Sequence, residues 1–198
     1  MGFLDSFYSK DLNQTRSEKM YNDALQLFNS PELQNARLPR NLADKVINGE
    51  DCDVITGAAG AFGHDMTNPI PVNGPLGEVT YLSRLRLRAT GSMVFFHKIN
   101  TVGAIDLFEL VNVSGKFVDY LYLDMFHPRC SRLYPAQYTL EREAVFPRGV
   151  TAKVEEFPKG LYKLIKKESE QHLGVDVAEK ESKRIDVEQA WQSIRAAK

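Results

Sequence analysis

The sequence predicts an α+β domain: a central antiparallel sheet of hairpins, flanked by N-terminal and C-terminal helices. Three observations carry this. Apolar residues recur at helical spacing in the first fifty positions, at period two in the middle, and at helical spacing again in the tail. The links between the middle segments are too short to hold crossover helices, so neighbouring strands run antiparallel. The composition is that of an ordinary globular chain: 198 residues, 43% hydrophobic, 26% charged, net charge −1. Length alone favours one domain over 1–198, with a helical part over 1–50, a β-rich core over 51–150 and a helical part over 151–198.

The first helix is expected over Ser17–Phe28, where Met20, Tyr21, Ala24, Leu25, Leu27 and Phe28 line one face. Ser30 followed by Pro31 marks a fresh helix start, and Asn48-Gly49 marks a stop. Pro39 divides what lies between. In the middle, Tyr81, Ser83, Leu85 and Leu87 alternate with Arg84, Arg86 and Arg88, which predicts a half-buried strand over Tyr81–Arg88. Met93–Ile99 follows Thr90-Gly91 as a second strand. Ile105–Val113 and Phe117–Phe126, joined through Ser114-Gly115, predict an antiparallel pair. Helices return over Pro158–His172 and Val177–Ala197, the second anchored through Trp191.

Val54–Gly63 reads VITGAAGAFG and resembles the TGxxGxxG fingerprint of short-chain dehydrogenase-type Rossmann proteins. That fingerprint needs a helix directly after it, so that the backbone can present a helix N-terminus to a pyrophosphate. Here Pro69, Pro71 and Pro75, with Gly74 and Gly77, oppose a long helix. The segment therefore reads as a Gly-rich turn leading into an irregular loop over 63–77, and no cofactor is expected. Loops of that length are often functional.

Three arrangements could carry chemistry. If Thr90-Gly91 is a two-residue turn, Arg84 faces His97, Arg86 faces Phe95 and Arg88 faces Met93. A row of guanidinium groups suits an anionic ligand. Second, His97, Asp124 and His127 have the ligand chemistry of a small metal site, although no HExxH or paired CxxC is present. Third, Cys130 lies beside Arg129 and Arg132, with His127 or His97 as a candidate base, the surroundings a reactive thiol needs. The segment Asp124–Arg132 concentrates Asp124, His127 and Arg129 where a strand opens into a loop at Pro128.

The function expected is a binding or protein-interaction domain. It would recognise a protein partner or a small anionic ligand through Arg84, Arg86, His97, Asp124, His127 and Arg129, with the Gly/Pro-rich loop beside them. The alternative is a small metal-dependent hydrolase on His97, Asp124 and His127. No segment is basic enough for nucleic acid, and no apolar run is long enough for a membrane span, so neither partner is expected. Two cysteines and the lack of a leader-like start point to the cytoplasm. Gly2 and Ser6 fit the short N-myristoylation pattern, which is common by chance.

Overall fold

The computed structural model describes residues 15–144, 147–174, 176, 178 and 186–196. Gly2 and Ser6 lie outside them. The elements follow the α+β expectation, with one change of sign in the sheet. A five-stranded sheet has the order β1 (Ile70–Pro71), β5 (Val118–Asp124), β4 (Ile105–Asn112), β3 (Val94–Val102), β7 (Gly149–Val150), and β2 (Leu85–Leu87) and β6 (Tyr138–Leu140) form a separate two-stranded sheet.

Helix α1 (Arg16–Asn29) starts on a full capping box: the Thr15 hydroxyl accepts from Glu18 N, and Glu18 Oε2 accepts from Thr15 N. Helix α2 (Pro31–Gln34) is capped by Ser30, with Pro31 in its first turn. Helix α3 (Arg40–Asn48) begins after Pro39 and stops at Gly49. These three elements match the expected starts and stops because caps, proline and glycine act locally.

The next stretch departs from expectation. Strand β1 (Ile70–Pro71) and helix α4 (Gly74–Arg84) occupy positions read as loop and strand. Only Leu85–Leu87 is strand, β2, paired antiparallel with β6 (Tyr138–Leu140). The reason lies in the spacing. Leu85 stands three residues after Leu82 and four after Tyr81, the spacing of one helical face, and all three are fully buried. Pro75 sits in the first helical turn, where its missing N–H costs nothing. Four alternating residues were too few to separate the two periods.

Strands β3 (Val94–Val102), β4 (Ile105–Asn112) and β5 (Val118–Asp124) form an antiparallel meander, in which β4 and β5 are the expected pair. The β4–β5 register runs from Ile105 opposite Asp124 to Val111 opposite Val118. A register irregularity between Lys98 and Asn100 interrupts the β3–β4 ladder. At the edges, β1 joins β5 and β7 (Gly149–Val150) joins β3, both in parallel, so the sheet is mixed rather than purely antiparallel. Short backbone runs returning after long excursions can arrive in either direction.

The two faces of the sheet bury different layers. Phe96, Phe108, Leu110, Leu121 and Leu123 pack with Tyr81, Leu82 and Leu85 of the α4–β2 segment. On the other face Phe95 packs with Tyr21 of α1 and with Leu161 and Ile165 of α5 (Leu161–Leu173). Ala190 of α6 (Val187–Ala196) completes that layer. Each fully buried large apolar side chain contributes about 1.5–3 kcal/mol of transfer free energy. Trp191 is only half-buried: Lys159 and Arg195 bracket its ring at 4.3 and 4.4 Å, and the smaller Ala190 takes the inward position. The second layer covers only part of its face. On β5, in the same cross-strand rows as Phe95 and His97, Val118 and Tyr120 remain 45% and 46% exposed.

Candidate functional site

The arginine row is not one solvent-facing surface: Arg86 is buried, Arg84 half-buried and Arg88 exposed. Arg86 Nη1 donates to the carbonyls of Ser83 and Leu85. Arg84 Nε donates to Glu141 O, and Arg88 donates to Ala136 O and Tyr138 O. The guanidinium groups close the α4–β2 junction onto the chain around β6, where backbone carbonyls need donors. The register differs as well: Arg86, not Arg88, lies opposite Met93. Arg84 is the last residue of α4 and does not face His97.

Arg129 follows the same logic. It is 3% exposed and gives its Nε to Val46 O at 2.9 Å and its Nη1 to Asp53 Oδ1 at 2.7 Å. Its Nη2 donates to Gly49 O. Arg132 adds two more bonds to Asp53 Oδ2, and Ser131 Oγ donates to Asp53 O. Burial works to raise the Asp53 carboxyl, but the hydrogen bonds from Arg129 and Arg132 outweigh it and hold the group at about 2. This cluster ties the end of α3 to the chain after β5. Nearby, Cys130 Sγ donates to Gly77 O, and burial pushes its thiol up, away from the thiolate a nucleophile needs.

The three metal-ligand candidates do not converge. Asp124 and His127 do meet, at 3.2 Å. His97 pairs instead with Glu109, at 3.1 Å. The register puts His97 two strands across and four residues along from Asp124, about 15 Å by strand geometry. Among the described residues no group of three or more His, Cys, Asp or Glu side chains is placed to hold a metal ion. No helix among them is long and apolar enough to cross a membrane.

What surrounds His97 is a polar cluster on the partly open face. Its ring stacks on Phe157 with centroids 4.1 Å apart. Its Nε2 meets Glu109 Oε1, and Tyr120 Oη donates to Glu109 Oε2 at 3.1 Å. The other ring nitrogen, Nδ1, is buried with no hydrogen-bond partner among the described residues. Burial and then the bond to Glu109 raise the Tyr120 hydroxyl above the ordinary tyrosine range. The cross-strand registers His97 opposite Glu109 and Glu109 opposite Tyr120 assemble this row from three strands. Sequence reading found His97 but missed Glu109, Tyr120 and Phe157. Period two along β4 and β5 carried the signal for the first two, once the hairpin register was known.

Two further clusters escaped sequence reading. His64, from the Gly-rich turn, meets Asp119 at 2.9 Å, and the buried Tyr138 hydroxyl donates to the same carboxylate oxygen at 2.7 Å. This pins the turn against β5. Beneath α4, the fully buried Glu78 lies against the buried Asp106. Asp106 accepts from Thr101 Oγ1 at 2.5 Å and from Lys98 Nζ at 3.4 Å. Burial first, then the neighbouring Asp106 carboxylate, push Glu78 up to about 9, so it carries a proton at neutral pH.

The chain matches no family model, no curated protein and no solved structure.

Proposed function

We propose that this chain is a protein-interaction domain, docking its partner on the open half of the sheet face around Tyr120. One observation carries the reading. Val118 and Tyr120, at alternate positions of β5, stand 45% and 46% exposed beside the His97–Glu109 pair, on strands held rigid by the meander. Protein interfaces place aromatic anchors on a rigid scaffold near a few oriented polar groups, and tyrosine is enriched among the residues that dominate binding. The anionic-ligand version of this function loses its support, because Arg84, Arg86 and Arg129 donate to backbone carbonyls and Asp53. The Gly-rich turn is likewise bonded to itself, through Thr67 to Ala59 O and Asn68 to Gly60 O.

Comparative affinity capture tests the proposal. Wild type is set against Tyr120→Ala, Val118→Asp and Phe126→Ala, the last altering a side chain 70% exposed in the loop after β5. The Tyr120 and Val118 variants should lose a set of proteins that wild type and Phe126→Ala both retain, while all four chains melt as folded proteins. Identical captured sets from all four chains would overturn the reading.

A further inference from the structure

We infer that the partner engages this face by adding an extended segment, antiparallel, as a further strand on the outer edge of β5. This rests on the interaction reading above and adds the form that the partner takes. In the sheet order β5 lies between β4 and β1, but β1 pairs only with Leu123 and Asp124. Among the described residues no strand lies outside Val118–Leu121. The bonds on either side show which way the edge groups point. Tyr122 N donates outward to Gly63 O, and Asp124 O accepts outward from Val72 N, whereas Phe117 O accepts inward from Asn112 N. Backbone groups alternate in direction along a strand, so Val118 and Tyr120 also turn their N–H and C=O groups outward. The Tyr120 N–H is taken, at 2.8 Å, by Asp119 Oδ1. The Val118 N–H and the carbonyls of Val118 and Tyr120 have no partner among the described residues.

The opposite side of the sheet is protected differently. There β7 takes up Phe96 and His97 of β3, and the register irregularity between Lys98 and Asn100 breaks the run beyond them. Irregular register and an edge lysine both blunt a strand against pairing. Strand β5 has neither: it contains no lysine, and its ladder with β4 is regular from Asp124 to Val118. The complement to outward N–H and C=O groups on a regular edge is the backbone of another strand. Antiparallel pairing is the more stable arrangement per residue, and it sends the side chains opposite Val118 and Tyr120 to the same face as those two. Both are exposed there, so the segment that fits carries β-branched or aromatic residues at alternate positions, the pairs that stabilise neighbouring strands.

The test uses the full chain and two defined probes: a capped Thr-Val-Thr-Val-Thr peptide and its counterpart N-methylated at both valines. Methylation removes the N–H groups that would point at β5 and leaves the side chains. Binding is followed by backbone amide shifts. The unmethylated peptide should shift the Val118 amide, slow its exchange, and bind about tenfold tighter than the methylated one, as the loss of two backbone hydrogen bonds implies. Val118→Pro removes an outward N–H that the ladder to β4 does not use. It should melt as a folded protein and lose the unmethylated peptide, which Val118→Thr should retain. Equal binding of the two probes at this face would overturn the strand inference and leave the docking face standing. So would undiminished binding of the unmethylated peptide to Val118→Pro. If neither probe shifts the Val118 amide, the inference fails. If Tyr120→Ala also keeps every captured protein, the interaction reading fails with it.

Discussion

Glu78 is a fully buried acid whose titration the fold displaces. In the unfolded chain its carboxyl titrates in the ordinary glutamate range. In the fold, burial and then Asp106 push it up to about 9. Between those values the folded chain holds a proton that the unfolded chain has released. Stability therefore falls as pH rises across that window, by up to about 1.4 kcal/mol per pH unit. Below pH ~4 the acid is neutral in both states and the effect disappears. Glu78→Gln keeps the shape and removes the titration. Urea denaturation at pH 5, 6.5 and 8 should show the variant gaining on wild type as pH rises, and parallel stability curves would refute the assignment. None of this was legible beforehand: a glutamate between an irregular loop and an expected half-buried strand is ordinarily solvated. Only the placement of α4 over β4 brings it against Asp106.

At the scale of elements, α3 has no buried residue, so its attachment comes from elsewhere. Arg129 supplies it, binding the carbonyls of Val46 and Gly49 while neutralising Asp53. Without Arg129, Arg132 still holds Asp53, but the carbonyls of Val46 and Gly49 lose their guanidinium donor, and a buried acceptor left unsatisfied costs about 1–3 kcal/mol. Arg129→Ala should lose about that much in chemical denaturation, and the amides of residues 45–49 should exchange faster than in wild type. His127→Ala removes a half-buried pair with Asp124 only, and should cost about 1 kcal/mol or less. Equal losses in the two variants would contradict this division. The segment around Pro128 was singled out by its density of polar groups, which the structure shows to be a clamp in the case of Arg129 and Ser131. Density in sequence marked the place correctly but could not distinguish a side chain aimed at solvent from one aimed at the carbonyls of a helix 80 residues earlier. The same ambiguity held at Gly115. A Cβ there would lie 2.7 Å from Ile194, so the turn joining β4 and β5 is also the seat of α6.

At the scale of the molecule, the two apolar layers lie on opposite faces of one sheet, and adjacent β3 residues, Phe95 and Phe96, belong one to each. A sheet shared in this way couples the layers, because loosening one removes support from the strands that carry the other. The expectation of a single domain over 1–198 becomes a measurable statement. Unfolding followed by far-ultraviolet dichroism and by Trp191 fluorescence should give one coincident transition. Trp191 reports on the α6 side, whereas the dichroism reports on all helices and strands. Separate midpoints would show that the C-terminal helices unfold independently of the sheet.

The sequence by itself determined the ends of α1, α2 and α3, the antiparallel β4–β5 pair and the α+β class. These depend on caps, turns and periods that act within a few residues. It also exposed the failure of the dinucleotide fingerprint, since a helix cannot begin directly after Gly63 through the prolines that follow. Only the tertiary structure decided the rest. It turned Tyr81–Arg84 into helix, because burial under the sheet favoured the 3.6-residue period over a short alternation. It added parallel edge strands from residues far apart in the chain. It moved the arginines from a solvent face to backbone carbonyls, and it separated His97 from Asp124 and His127 while joining it to Glu109 and Tyr120. Hydrogen-bond partners are chosen by distance in space, and distance in space depends on strand register and on which layer covers which face.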